Sequence, residues 1–304
     1  MKEEPAGPAP LRFGLCADIH KDIMHDADAR LRAFVGRMGE ERVDFILQLG
    51  DFCCPHERNR PFLDIWESFD GPRYHVLGNH DTDGGFSRRE TRAFWSMPAR
   101  FYSFDAGGFH FVVLDGNDKR EGRPPGYPCF VAADQLEWLR GDLAAAGRPA
   151  VVFLHQSPLD MAVPEQGLDN GAEVRAVLEA ANGAGGRVLA CFSGHNHVDA
   201  HATLNGIHYI QVNSMSNYWL GDDHQEIRYG AAVDRDFPWI KYTAPYADPL
   251  YALVEMRADG ALSVRGSRSA FVGRTPWELG YPHRHCSDRI VARISDLKLA
   301  PGRG

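Results

Sequence analysis

The feature that most constrains the fold of this chain is the alternation of short apolar runs with amphipathic stretches. Apolar runs at 11–16, 45–49 and 74–77 have the length of buried β-strands. The stretches between them repeat apolar residues at helical spacing, and in the first stretch these residues are Leu31, Phe34, Val35 and Met38. A strand–helix–strand order of this kind predicts a sheet covered by helices.

The second half of the chain adds antiparallel pairs to this pattern. Alternating runs at 101–115, 200–213 and 249–266 surround Ala-Gly-Gly, Asn-Gly and Asp-Gly sequences, which are typical of the turns in β-hairpins. Further helix-like stretches follow at 132–147 and 171–182. The mixture predicts an α/β protein in which two packed sheets are flanked by helices.

The chain divides most simply into one domain with two irregular ends. Residues 1–10 are polar and proline-rich, and we expect a disordered tail there. The domain is predicted to span 11–272, and its segment 218–249 shows no clear period, which indicates a long loop or lid. We expect 273–304 to be an irregular extension packed on the domain, with a strand or a helix near its end.

Composition and charge exclude some classes of protein. The 33 Lys and Arg residues are outnumbered by 41 Asp and Glu residues, which gives a net charge of −8 and argues against a nucleic-acid-binding protein. The six cysteines are scattered without zinc-ribbon spacing, and we interpret adjacent Cys53 and Cys54 as buried apolar residues. No signal-peptide pattern and no run of ~18 apolar residues is visible, so we expect a cytoplasmic protein without membrane insertion.

Polar residues that can bind metal follow the end of each of five strand-like runs. They are Asp18 and His20; Asp51; Asn79, His80 and Asp81; His155; and His195 and His197. Because the carboxyl ends of strands in open α/β sheets share one edge, residues far apart in sequence are expected to converge there. Imidazole and carboxylate together suit Mn, Fe or Zn ions rather than the all-oxygen shells of Ca or Mg.

Each residue of this set has a simpler interpretation when it is taken alone. An aspartate after a strand is usually a turn or helix-capping residue, and a single histidine such as His155 is more often a hydrogen-bonded core residue than a ligand. Their joint occurrence, in order and each after a strand, favours a metal site.

The ordered motifs "DIH", "GD", "GNHD", "H" and "GHNH" resemble the calcineurin-like metallophosphoesterase superfamily, and within it a branch of bacterial small-molecule phosphodiesterases. The resemblance implies a four-layer α/β/β/α sandwich with two mixed sheets. It also implies that one ion is held by Asp18, His20 and His197, that Asp51 bridges to a second ion, and that Asn79, His155 and His195 complete the second site.

The same resemblance assigns catalytic roles to two residues. His80 is expected to contact the substrate phosphate and to assist the leaving group, and Asp81 is expected to orient His80. Position 21 is lysine, and no tyrosine stands where purple acid phosphatases have theirs, so we do not expect a charge-transfer iron site.

These observations predict a hydrolase with two divalent or transition-metal ions (Mn, Fe or Zn) and a small-molecule phosphoester substrate. The resemblance favours a small phosphodiester, of the cyclic nucleotide or glycerophosphodiester type, cleaved by in-line attack of metal-bound hydroxide. A phosphomonoesterase and a non-catalytic scaffold of the same fold remain alternatives. A nuclease is disfavoured by the acidic charge, and the sequence does not indicate an oligomeric state.

Some polar residues outside the motifs are weaker candidates. Tyr218, Trp219 and Asp222 are expected either to line a substrate pocket or to anchor a loop by packing. Arg88 and Arg89 are expected either to meet a phosphate or to lie on a solvated helix face. A second metal cluster at His224, His283 and His285 is the least supported of these hypotheses.

Overall fold

The computed structural model describes residues 9–122, 125–161, 167–183 and 187–301. Most of the tail expected at 1–10 therefore lies outside the described residues. Within these ranges, no helix is both long enough and apolar enough to span a membrane.

The described residues form helices and strands in the alternation that the sequence predicts. The helices are α1 (Ala27–Glu41), α2 (Arg60–Glu67), α3 (Arg88–Phe94), α4 (Ala133–Ala145), α5 (Gly171–Gly183) and α6 (Ala231–Asp236). The strands are β1 (Leu11–Cys16), β2 (Phe45–Gln48), β3 (Arg73–His75), β4 (Tyr102–Ala106), β5 (Phe109–Val113), β6 (Ala150–Phe153), β7 (Val188–Ser193), β8 (Ala200–Leu204), β9 (Ile207–Gln211), β10 (Asn217–Trp219), β11 (Thr243–Pro245), β12 (Ala252–Met256), β13 (Leu262–Gly266) and β14 (Leu297–Leu299).

Two six-stranded sheets contain most of these strands. The first has the order β14-β13-β12-β1-β2-β3, and the second has the order β4-β5-β6-β7-β9-β8. Strands β1, β2 and β3 run parallel, as do β5, β6, β7 and β9, whereas the remaining neighbours are antiparallel. Both sheets are therefore mixed, and the predicted fold class is confirmed.

Side-chain alternation along the strands places one core between the sheets and another outside the second sheet. In β5, Phe111 belongs to the inter-sheet core, whereas its neighbour Val112 packs in the core under α4 and α5. Phe13 of β1 lies 5.8 Å from Phe111 and 6.0 Å from Phe153 between ring centroids, so aromatic rings join the two sheets. Full burial of such a side chain contributes about 1.5–3 kcal/mol.

Helices cover the outer face of each sheet and complete four layers. Helix α1 packs against α2 and β1 on the first sheet, and α4 packs against α5 on the second. The buried face of α4 carries Leu136, Leu139 and Leu143, at the spacing expected of a helix that covers a sheet. Helix α3 begins at a capping box, in which Ser87 and Glu90 satisfy each other's backbone N–H groups.

The segment 218–249 is more regular than the sequence indicated. Strands β10 and β11 pair antiparallel within it, and α6 lies between them in sequence. Tyr218, Ile240 and Tyr246 are buried. The segment predicted as a long loop or lid therefore contains short regular elements, which the sequence did not show because three-residue strands are too short for an alternating pattern. Its role as a lid stays a prediction.

The segment after residue 272 joins the fold through its end. Strand β14 pairs with β13 at the edge of the first sheet, which resolves the choice between a final strand and a final helix. Cys286, Ile290 and Ile294 are buried in the two cores. The division into one domain at 11–272 and an extension at 273–304 stays a prediction.

Candidate metal centre

Seven of the residues singled out in the sequence meet at the carboxyl ends of the parallel strands. We call them the floor: Asp18 and His20 after β1, Asp51 after β2, Asn79 after β3, His155 after β6, and His195 and His197 after β7. Six of them form two groups, Asp18 with His20 and His197, and Asp51 with His155 and His195. Within each group the potential ligand atoms all lie within 4.8 Å of one another.

The two groups adjoin each other at Asp51. Its Oδ2 atom lies 3.3 Å from His155 Nε2 in one group and 3.8 Å from His20 Nε2 in the other. Asn79 Oδ1 lies 3.1 Å from His155 Nε2. The arrangement places one carboxylate between two sets of donors, with an amide oxygen beside the second set.

Backbone carbonyls orient two of the floor histidines. His155 Nδ1 donates to the Leu49 carbonyl at 2.8 Å, and His197 Nδ1 donates to the Asn217 carbonyl at 2.7 Å. A carbonyl oxygen only accepts hydrogen bonds, so each Nδ1 keeps a proton and each ring turns its Nε2 atom toward the floor. Partners of this kind fix the ring orientation of metal-binding histidines.

Five residues of the floor have a left-handed backbone conformation, which residues other than glycine rarely adopt. Eight non-glycine residues of the described chain have positive φ, and five of them are Asp18 (52°), His20 (54°), Asp51 (52°), His195 (71°) and His197 (51°). Such conformations cost of order 1–3 kcal/mol each and concentrate at functional sites. Their coincidence with the floor indicates that the fold is strained in order to direct these side chains.

The glycines that precede three floor residues leave room for the neighbouring ligands. A Cβ on Gly78 would collide with the backbone nitrogen of Asp51, and a Cβ on Gly50 would collide with the His155 ring. A Cβ on Gly194 would lie 2.6 Å from Asp18 Oδ2. The "GD", "GN" and "GH" pairs of the sequence therefore have a steric cause.

Burial and charge act in opposite directions on the floor histidines. Burial, together with the charge of His155, lowers the pKa of His195 to about 3. Burial also acts to lower the pKa of His155, but the Asp51 and Asp18 carboxylates outweigh it and raise that pKa to about 9. The carboxylates thus favour positive charge at the centre of the floor.

These residues fit transition-metal ions. His20 Nε2 and His197 Nε2 are 3.1 Å apart, and His195 Nδ1 and His155 Nε2 are 3.2 Å apart. Neutral imidazoles whose lone pairs face each other at such distances repel unless a proton or a cation lies between them. Mixed imidazole and carboxylate donors are the ligands that Mn, Fe and Zn ions accept.

His80 stands above the floor with two partners that the sequence did not identify. His80 Nδ1 lies 2.7 Å from Asp83 Oδ2, and the Tyr127 hydroxyl lies 3.1 Å from Asp83 Oδ1. Burial and the Asp83 charge raise the pKa of Tyr127, so its hydroxyl keeps its proton and donates. The indole of Trp219 lies 6.2 Å from the His80 ring. We call His80, Asp83, Tyr127 and Trp219 the rim.

The expectation that Asp81 orients His80 is corrected by this geometry. The Asp81 carboxylate accepts hydrogen bonds from the backbone N–H groups of Gly78, Asp51 and Phe52, at 2.7 to 3.0 Å. It therefore fixes the two loops that carry Asn79 and Asp51, whereas the carboxylate at His80 Nδ1 is that of Asp83. The reason is the 3₁₀ turn at His80–Thr82, whose cap places Asp83 next to the ring.

None of the weaker candidates belongs to the floor, but Trp219 belongs to the rim. Trp219 lies 5.7 Å from the His20 ring, whereas Tyr218 is buried with its hydroxyl 3.2 Å from that of Tyr281 and Asp222 is exposed. Arg88 pairs with Asp115 and Asp118, so its charge is used within the fold, and Arg89 is exposed. Among the described residues, the groups able to hold a metal do not include His224, His283 or His285.

The cysteines agree with their interpretation as apolar residues. All six are buried. Burial raises the pKa of Cys53 and of Cys54, which makes both thiols weak nucleophiles.

Sequence reasoning missed Asp83 and Tyr127, for different reasons. Asp83 lies in the same polar stretch as Asn79 and His80, and a carboxylate three residues after a histidine is a signal that could have been weighed. Tyr127 comes from a Pro- and Gly-rich loop 47 residues beyond His80, and no local pattern marks it.

Similar proteins share this fold. A manganese-dependent ADP-ribose/CDP-alcohol diphosphatase from Oryza sativa subsp. japonica is 26% identical, over 65% of this chain and 81% of that protein. A dimetal phosphatase from Danio rerio superimposes with a TM-score of 0.63 at 19% identity, covering 88% of this chain and 100% of the other. GAP50, the anchor in the inner membrane complex of Plasmodium, superimposes with a TM-score of 0.56 at 15% identity, covering 97% and 90%.

The family follows from a match that includes both groups of potential metal ligands. Residues 11–199 match the model of the calcineurin-like phosphoesterase family, which is more than half of the chain. The matched range begins at β1 and ends just after His197, so it contains the whole floor. This chain belongs to the calcineurin-like phosphoesterase family.

Proposed function

We propose that this protein hydrolyses a small phosphodiester with two transition-metal ions bound at the floor. The observation that carries the proposal is the pair of donor groups that adjoin at Asp51, buried under a partly open rim. Asp18, His20 and His197 would hold one ion, Asn79, His155 and His195 the other, and Asp51 would contact both.

Bound ions at this site would supply two kinds of chemistry. They would neutralise charge on the phosphoryl oxygens and lower the pKa of a water nucleophile toward about 7. His80, whose side chain is 24% exposed, would contact the phosphate and assist departure of the alcohol. The positive-φ backbone would keep the floor donors in place without movement during turnover.

The charge around the opening supports a diester rather than a monoester. Asp83 borders the cavity beside His80. Two other charged residues of the same cavity are paired, Asp22 with Arg58 at 3.2 Å and Lys21 with Asp28 at 2.6 Å. A monoester carries up to two negative charges near neutral pH, whereas a diester carries one, so an acidic border penalises the monoester more. An acidic border therefore favours a phosphoryl group with one negative charge over a phosphoryl group with two.

The relative from rice indicates which diesters to test first. Its name gives ADP-ribose and CDP-alcohols as its substrates. In both, each phosphorus of the diphosphate carries two bridging oxygens, as the phosphorus of a diester does. We extend this class to the present chain, together with cyclic nucleotides and glycerophosphodiesters. Manganese is the first metal to test because that relative depends on it; iron and zinc suit the same donors. Membership of a bacterial small-molecule phosphodiesterase branch is also part of the proposal, and its support is the order of the motifs.

The test is a substrate panel with metal analysis. Purified protein is loaded with Mn²⁺, and turnover is measured with ADP-ribose, CDP-choline, bis(p-nitrophenyl) phosphate and p-nitrophenyl phosphate, beside elemental analysis. We expect about two ions per chain and a higher kcat/KM for the diesters. A higher kcat/KM for the monoester would establish the phosphomonoesterase alternative.

A His80→Ala variant separates the enzyme from a non-catalytic scaffold of this fold. Because His80 lies on the rim, the variant is expected to keep its metal and to lose turnover by about a hundredfold or more. A wild-type protein that binds two ions but hydrolyses no phosphoester would support the scaffold instead.

A further inference from the structure

The support of the His80 ring differs from that of the floor histidines. The rings of His155 and His197 are held by backbone carbonyls. The His80 ring is held by a side chain, since its Nδ1 atom lies 2.7 Å from Asp83 Oδ2. A backbone carbonyl is fixed by the sheet, whereas an aspartate side chain must itself be held.

Tyr127 supplies that support. Its hydroxyl lies 3.1 Å from Asp83 Oδ1 and 3.2 Å from Asp83 Oδ2, so it donates to the carboxylate that receives the His80 N–H. Its ring lies 4.5 Å from the His80 ring, at an interplanar angle of 53°. The aspartate therefore lies between two donors, and the tyrosine also packs against the imidazole.

The His80 ring is also placed between the floor and the surface. Its centroid lies 5.3 Å from that of His20, and its backbone N–H donates to Asp51 Oδ1 at 2.8 Å. With Nδ1 engaged by Asp83, the remaining ring nitrogen, Nε2, is the atom available to a substrate. The orientation of the ring thus decides where that nitrogen lies.

We propose that Asp83 and Tyr127 are positioning residues, which together hold the His80 imidazole in the orientation and tautomer that the reaction requires. This inference rests on the proposed hydrolase function. In the step concerned, the oxygen of a hydroxide ion forms a bond to phosphorus while the bond between phosphorus and the leaving oxygen breaks. The electron pair of the broken bond goes to the leaving oxygen, and a proton from His80 Nε2 is transferred to it. Asp83 keeps the Nδ1–H hydrogen bond throughout.

The proposal makes the substrate's leaving group the decisive variable. A nitrophenolate leaves without a proton, so an enzyme with a poorly oriented His80 still cleaves its esters. An alcohol of high pKa leaves only when it is protonated, so the same defect slows its esters strongly. A residue with a merely structural role would slow both kinds of substrate alike.

The experiment compares Asp83→Asn and Tyr127→Phe with Asp70→Asn, a control at an exposed aspartate. Each variant is assayed with aryl phosphodiesters whose leaving phenols span a range of pKa values. We expect Asp83→Asn to lose about 10- to 100-fold in kcat with the poorest leaving group and little with nitrophenolate, with unchanged metal content. Tyr127→Phe should show the same trend with a smaller loss. Equal losses across the series would overturn the proposal.

A second readout does not depend on turnover. In the Zn²⁺-loaded protein, imidazole ¹⁵N shifts report which ring nitrogen of His80 carries the proton, and a His80→Gln variant assigns the signals. We expect a protonated Nδ1 in the wild type and a shifted Nδ1 signal in Asp83→Asn. Unprotonated Nδ1 in the wild type, or unchanged signals in Asp83→Asn, would refute the positioning role.

The two readouts separate this inference from the proposed function. If no diester is hydrolysed but the His80 signals depend on Asp83, the hydrolase proposal fails and the positioning of the ring stands. If diesters are hydrolysed and Asp83→Asn changes neither the signals nor the leaving-group dependence, the positioning proposal fails alone.

Discussion

The floor and the rim of the site are built by different means. Floor side chains follow strand ends, and most are buried; their orientation comes from backbone carbonyls and from left-handed backbone conformations. Rim side chains are partly exposed and hold one another, as in the contact of His80 with Asp83 and of Asp83 with Tyr127. The orientation of the floor side chains therefore depends on the backbone, whereas the orientation of the His80 ring depends on neighbouring side chains.

Under the proposed function, this difference separates two properties of the protein. Metal binding would depend on the floor, where small displacements disturb several donors at once. Substrate preference would depend on the rim, where a substitution leaves the floor donors in place. Variants of the two regions should accordingly fail in different assays. Three predictions test this separation and a fourth concerns a histidine outside the site, from the largest effect to the smallest.

Replacing Asp51 by asparagine should have the largest effect, because its carboxylate lies between both donor groups. We expect metal affinity to fall by more than about a hundredfold, the upper end for residues that only orient metal ligands. Elemental analysis and calorimetric titration measure this loss. Asp64→Asn, at an exposed position of α2, is the control. If Asp51→Asn still retained both ions, its place between them would be disproved.

Replacing Gly78 by alanine should damage the floor without removing a donor. The added Cβ would collide with the Asp51 backbone nitrogen, so the free energy of unfolding should fall by about 1–3 kcal/mol and metal affinity with it. Urea unfolding measures the first quantity. Gly36→Ala is the matched control, because a Cβ there meets nothing within 4 Å and should stabilise helix α1 by about 0.5–1 kcal/mol. Equal stability of both variants would contradict the steric argument.

Replacing Trp219 by leucine should affect the rim alone. Its indole lies 5.7 Å from the His20 ring, so it can stack on a planar group of the substrate. We expect KM for a nucleoside-containing diester to rise about fivefold, which corresponds to about 1 kcal/mol of lost aromatic contact, with unchanged metal content. Trp239→Leu is the control, since this exposed tryptophan packs against Tyr242. A loss of bound metal in Trp219→Leu would break the separation between rim and floor.

A histidine outside the site should show the smallest effect, with a dependence on pH. Burial acts to lower the pKa of His110, but hydrogen bonds to Asp142 and Asp105 outweigh it and raise that pKa above the ordinary value of 6.5. The stabilisation of the folded protein by protonated His110 is thus complete below pH 6.5 and is lost as the pH rises through the folded-state pKa of His110. His110→Gln should lower the free energy of unfolding at pH 6 by up to about 1 kcal/mol and have little effect at pH 9. If His110→Gln lowered the free energy of unfolding more at high pH than at low pH, the prediction would be contradicted.

The sequence predicted the floor far better than the rim, for a physical reason. Asp18, Asp51, His155 and His197 each follow a parallel strand, and parallel strands end at a common edge, so their proximity could be inferred from the order of strands and helices alone. Their roles as metal ligands stay predictions. The partner of His80 was harder to infer, because its position depends on a single 3₁₀ turn.

The fold likewise has parts that the sequence predicts and parts that it does not. The two sheets could be inferred because alternating and continuous apolar runs mark strands of five or six residues. Segment 218–249 could not, because β10 and β11 contain three residues each and owe their pairing to tertiary contacts.

The distribution of the donors over the two sheets has a consequence for the biogenesis of the protein. Asp18 and Asp51 follow strands of the first sheet, whereas His155 and His197 follow strands of the second, so each donor group draws on both. A ribosome must therefore release the chain beyond residue 197, and the two halves must dock, before a cation meets a complete set of ligands. If the floor binds metal as proposed, its capture would belong to the end of maturation, and the first half of the nascent chain would fold before any metal could stabilise it.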